Sequence, residues 1–117
     1  MMNIDELDSK YEEFLINRKI YLQKGINQST ACQMMGVSIE ELDVYLKDEL
    51  NTSSFDVMID DFRIAEAKDI WDKRGTTPIC QVAQMVGYSN ALVFLFRFWQ
   101  QEHCLPCIWK RRMLVTL

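Results

Sequence analysis

Apolar residues recur along this chain at helical spacing, and no stretch alternates as a half-buried strand does. Leu7, Tyr11, Phe14, Leu15, Tyr21 and Leu22 form a first stripe, which predicts a helix over 3–24 that stops at Gly25. Acidic residues lead that segment and Arg18, Lys19 and Lys24 trail it, an order that suits a helix dipole. Residues 28–35 read as a short helix. Residues 39–50 read as its partner, offering Leu42, Val44, Tyr45, Leu46 and Leu50 to a core. After the polar break Asn51-Thr52-Ser53-Ser54, Ser53 with Asp56 three residues on suits a cap. Phe55, Met58, Ile59, Phe62, Ala65, Ile70 and Trp71 then predict a helix over about 55–73, long enough at about 28 Å to join two units. Gly75 ends it. Thr77-Pro78 reads as an N-cap and first helical residue, opening a helix over 78–86. A helix over 90–101 follows, and Pro106 starts a last one that carries Lys110-Arg111-Arg112.

One stretch of this pattern occurs twice. Ala83-Gln84-Met85-Val86-Gly87-Tyr88-Ser89 matches Cys32-Gln33-Met34-Met35-Gly36-Val37-Ser38 at Gln, Met, Gly and Ser. Each copy puts a small residue on a short helix, where another helix can approach closely. Four positions later a Gly allows the positive φ that stops a helix. Ser38 and Ser89 then stand where a new helix needs a cap, and Glu41 completes a capping box with Ser38. Helix, glycine turn and capped helix make a helix-turn-helix unit. The expected fold is therefore all-α, with about seven helices. Two helix-turn-helix subdomains, 1–54 and 74–117, are joined by a linker helix over 55–73.

Composition changes this picture in one respect. The net charge of −4 is uneven: residues 1–74 hold 9 Lys and Arg against 16 Asp and Glu, whereas 75–117 hold 4 against 1. A nucleic-acid partner is better served by the second half. No apolar run reaches membrane-spanning length and the N-terminus has no signal-peptide pattern, so the expected location is cytoplasmic.

The chain resembles the AraC/XylS-type DNA-binding domain from about residue 10 to residue 112. Arg63-Ile64-Ala65-Glu66-Ala67-Lys68-Asp69-Ile70 is similar to the family's linker helix. Ile79-Cys80-Gln81-Val82-Ala83-Gln84-Met85-Val86-Gly87-Tyr88-Ser89-Asn90 is similar to its second helix-turn-helix. Phe94 and Phe98, then Pro106 and Trp109, resemble the segments that follow. The resemblance implies two helix-turn-helix units that set recognition helices into successive major grooves of duplex DNA, in a regulator that activates or represses transcription. Most members add an effector-binding or dimerising domain, so this chain would resemble a stand-alone member or a fragment.

The departures from that pattern fall on the surface meant for DNA. Ala91, Leu92 and Phe96 stand where the family has Gln, Ser and a base-reading Arg, and Trp99 replaces a basic residue. In the first recognition helix Val44 takes the Arg position, Glu40, Glu41 and Asp43 sit nearby, and Lys47 keeps a basic position. Asp60 and Asp61 replace residues that are often basic. Candidate DNA contacts are Ser38, Lys47, Ser89, Asn90, Arg97, Gln100, Lys110, Arg111 and Arg112, of which Ser38, Ser89 and Asn90 also suit helix caps. Leu92, Leu95, Phe96 and Trp99 form a second apolar stripe, and a stripe of that kind marks a contact with a protein partner or a second copy in a homodimer.

Other chemistry has little footing. His103-Cys104-Leu105-Pro106-Cys107 contains a C-x-x-C at a helix start, but it lacks the βαβ setting of a redox dithiol, and a zinc site of about four ligands would have only Cys80 and Cys32 to draw on. One His, no glycine-rich phosphate loop and no nucleophile with a visible base argue against an enzyme. No cofactor and no metal is expected.

Overall fold

The computed structural model describes residues 2–52 and 54–115, with side chains described through Arg111. The fold is all-α: seven α-helices, and no strand among the described residues. The chain divides into two compact units, residues 1–59 and 60–117.

In the first unit Asn3 caps α1 (Ile4–Tyr11), its side chain accepting from the Glu6 amide at 2.9 Å. The helix widens into a π-helical stretch, Glu12–Asn17, and stops. Lys19 turns left-handed at φ 51°, and Ile20–Leu22 form one 3₁₀ turn. The helix expected over 3–24 is thus too long. On a continuing α-helix Ile20 would stand about 220° around from Leu7 and face solvent. The break swings Ile20 inward, and Ile20 and Tyr21 are both buried, as are Phe14 and Leu15.

Helices α2 (Gln28–Met35) and α3 (Ile39–Asp48) pack on each other, and α1 packs on α3. Leu42, Tyr45 and Leu46 own the buried face of α3. Val44 stands about 200° from Leu42. It is therefore 57% exposed rather than in the core, and Leu50 is half-buried beyond the helix end. The Tyr45 hydroxyl donates to Asp8, and its ring meets Tyr11 edge-on at 6.0 Å.

Helix α4 (Phe55–Arg74) is continuous. The cap expected from Ser53 lies outside the described residues, and Ser54 Oγ accepts from the Val57 amide at 3.2 Å. Phe55, Met58 and Ile59 are buried in the first unit, and Ile64, Ala67 and Trp71 in the second. Ala65, expected on the apolar stripe, falls off that face and is exposed.

The second unit adds α5 (Ile79–Met85), α6 (Ala91–Glu102) and α7 (Pro106–Val115). Its core is aromatic. Phe94 and Phe98 are fully buried, 6.0 Å apart, and each lies 6.0 Å from Trp71. Tyr88 closes one side at 5.5 Å from Phe94, and Trp109 the other at 6.2 Å from Phe98. Two helix starts differ from expectation. α5 begins at Ile79 with extended Pro78 as its cap residue, whose side chain has no acceptor to offer, so no side-chain cap bond forms; the Thr77 carbonyl accepts from Trp71 Nε1 at 2.8 Å. α6 is capped by Asn90 rather than Ser89: the Asn90 side chain reaches the Leu92 amide at 2.7 Å.

Candidate nucleic-acid interface

Both copies of the repeat fold as helix, glycine turn and capped helix. In the first, Gly36 takes φ 73°, and its amide and that of Val37 donate to the Cys32 carbonyl at 2.9 and 3.1 Å. Ser38 Oγ then accepts from the Glu41 amide at 3.0 Å, while Glu41 accepts from the Ser38 amide at 3.3 Å. In the second, Gly87 takes φ 103° and the Tyr88 amide donates to the Ala83 carbonyl at 2.9 Å. Ala83 is fully buried on α5, where close packing leaves little room for a larger side chain.

The exposed face of α3 is mostly acidic. Lys47 is solvent-exposed, but its Nζ lies 3.1 Å from Asp43 Oδ2, so a carboxylate already engages it. Ser38 is exposed, with its oxygen committed to the cap. The Met2 amide donates to Glu41 at 2.8 Å; this bond and those from Ser38 hold the Glu41 carboxyl below the usual carboxylate range. Phosphates approaching this helix meet Glu40, Asp48 and Glu49 as well, all exposed.

On α6, Ser89 and Asn90 are exposed at the helix start. Arg97 is held from two sides: its Nη1 donates to Gln100 at 3.1 Å, and its Nε lies 3.4 Å from Asp60 Oδ2. Asp60 also accepts from the Tyr88 hydroxyl at 2.6 Å, and the Arg63 guanidinium covers the Tyr88 ring at 4.9 Å. Burial and the Asp60 carboxylate together push the Tyr88 hydroxyl well above its ordinary pKa. This network ties α4 to the turn before α6. Asp60 marks it in the sequence only as an acid at an often-basic position. Its pairing with Arg97, far along the chain, leaves no sequence signal.

The rest of the outward face of α6 is apolar. Leu92 is 73% exposed, Phe96 52% and Trp99 51%, whereas Leu95 is half-buried. Phe96 and Trp99 stack on each other, centroids 6.4 Å apart and planes 26° from parallel. On α7, Lys110 is half-buried over the Trp71 ring at 5.1 Å, Arg111 is exposed, and the Arg112 side chain lies outside the described residues. Lys68 forms an ion pair with Glu102. Ser89, Asn90, Arg97, Gln100, Lys110 and Arg111 thus belong to the second unit, and Ser38 and Lys47 to the first.

Cys104 is buried and Cys107 exposed, so the two thiols of the C-x-x-C have different surroundings. Among the described residues no group of three or more His, Cys, Asp and Glu side chains is placed to hold a metal ion. No described helix is long and apolar enough to cross a membrane.

No protein-family model and no curated protein sequence matches the chain. Among solved structures, the C-terminal domain of AraT, a response regulator from Geobacillus stearothermophilus, matches with a TM-score of 0.78 over 94% of this chain and 86% of that one. The two are 20% identical, so the likeness is one of fold.

Proposed function

We propose that this chain is an AraC-type transcription-regulator domain that binds duplex DNA through its helix-turn-helix units, with the second unit carrying most of the contact. The observation that supports it is the duplicated unit itself: glycine turns at Gly36 and Gly87, each followed by a side-chain-capped helix. The fold shared with a response regulator's C-terminal domain points the same way. Around α6, Ser89, Asn90 and Gln100 supply polar groups, and Arg97, Lys110 and Arg111 supply cations. Because Asp60 neutralises Arg97, removing that carboxylate separates the readings. Asp60→Ala frees a cation for phosphate, so affinity for random-sequence duplex rises and the salt slope steepens by about one charge. Arg111→Ala lowers affinity and flattens the slope. If neither variant changes the salt slope of duplex binding, the proposal fails.

A second reading follows from the exposed Leu92, Phe96 and Trp99 face: a helix-turn-helix scaffold turned to protein contact or homodimerisation. Phe96→Ser then abolishes self-association or capture of a partner while helicity survives. A strictly monomeric wild type that captures nothing ends this reading.

A further inference from the structure

The first unit holds a cleft of about 300 Å³ between the start of α1 and the outer face of α3. Its floor is apolar. Leu7 and Tyr45 form the buried base, and Ile4 and Val44 stand 50% and 57% exposed on either side. Its rim is acidic: Glu40, Glu41, Asp48 and Glu49 line it, and no Lys or Arg does. Glu41 is engaged by the Met2 and Ser38 amides, while Glu40, Asp48 and Glu49 are exposed to an incoming partner. Lys47, on the same helix, is turned to Asp43 and does not line the cleft. An apolar floor explains why a partner would leave water. A rim of one sign decides which partner: phosphate is repelled, and a cation flanking an apolar anchor is drawn in.

We infer that this cleft docks a short segment of a partner protein, in which an apolar anchor side chain is flanked by Lys or Arg. The segment's anchor sits on Ile4, Leu7, Val44 and Tyr45, and its cations meet Glu40, Asp48 and Glu49. This narrows the DNA reading, since a partner seated there leaves duplex binding to the second unit. It does not depend on that reading, because every residue of the cleft belongs to the first unit.

The probe is a synthetic helical peptide of about 15 residues with two Leu at i and i+4 flanked by Lys, set against the same peptide with Glu in place of Lys. Both are titrated at about 0.15 M salt, where loose surface attraction is screened. The Lys peptide binds and shifts backbone amide resonances of α1 and α3. Val44→Lys, at an exposed position, weakens it about tenfold or more, as does the Glu40→Lys, Glu49→Lys double variant. Phe96→Ser leaves it unchanged. Circular dichroism of each variant checks that helicity is kept. Failure of the Lys peptide to bind, equal binding of both peptides, or indifference to Val44→Lys overturns the proposal. So does self-association that Val44→Lys abolishes, which would make a second copy the occupant.

Discussion

Ser38 shows how one side chain can be committed before any partner arrives. Its hydroxyl closes one half of a capping box and Glu41 closes the other. Ser38→Ala is expected to lower stability by about 1 kcal/mol, the usual cost of an N-cap, read as an earlier urea midpoint at unchanged slope. An unchanged midpoint would show that the box contributes nothing here. Tyr45 and Tyr88 make a pH-dependent contribution. Burial and a neighbouring carboxylate, Asp8 for one and Asp60 for the other, raise both hydroxyls above the ordinary value of 10.0. A group whose folded pKa is raised adds stability that is complete below its unfolded pKa and is lost as pH rises toward the folded value. The chain is therefore expected to hold its stability up to about pH 10 and to lose it above. Tyrosinate absorbance and loss of helical dichroism should then rise together. All 4 tyrosines ionising near pH 10 with the helices intact would contradict this. At this scale the sequence was legible where chemistry is local. The Gly36 and Gly87 turns and the Ser38–Glu41 box follow from spacing alone. Asn90 displaced Ser89 as a cap by a single position. The Asp60–Tyr88–Arg97 network joins residues 28 or more positions apart, which no local pattern reports.

The elements separate two kinds of aromatic residue on one helix. Phe94 and Phe98 sit fully buried among Trp71, Tyr88 and Trp109, while Phe96 and Trp99 stack in the open. Phe98→Ala is expected to cost about 3–5 kcal/mol, enough to unfold the second unit under mild denaturant. Phe96→Ser should stay within about 0.5 kcal/mol of the parent. Equal losses in the two variants would mean that α6 packs on a different face. This division was legible in the sequence, because i, i+4 spacing puts Phe94 and Phe98 on one side and Leu92, Phe96 and Trp99 on another. The first helix was not. Its stripe continues through Tyr21 to Leu22, and only the burial of Ile20 demands a break such as the left-handed turn at Lys19. The acid-rimmed cleft was hidden for a similar reason: Val44 reads as a core residue until the packing of α3 on α1 leaves it outside.

Over the whole molecule, charge and scaffold pull in different directions. The scaffold repeats a helix, glycine turn and capped helix, the unit on which the DNA proposal rests. The net charge of −4 combines −7 over residues 1–74 with +3 over residues 75–117, and the exposed face of α3 is mostly acidic. Non-specific DNA binding rests on phosphate neutralisation, so this balance sets the affinity expected. Only the second unit, with Arg97, Lys110 and Arg111, has the sign required. The most direct test is fluorescence anisotropy of a labelled random-sequence duplex titrated with the whole chain at about 50 and 200 mM salt. Micromolar binding that collapses at the higher salt is the predicted result. Absence of binding at the lower salt would contradict the DNA reading and leave protein contact as the work of this fold.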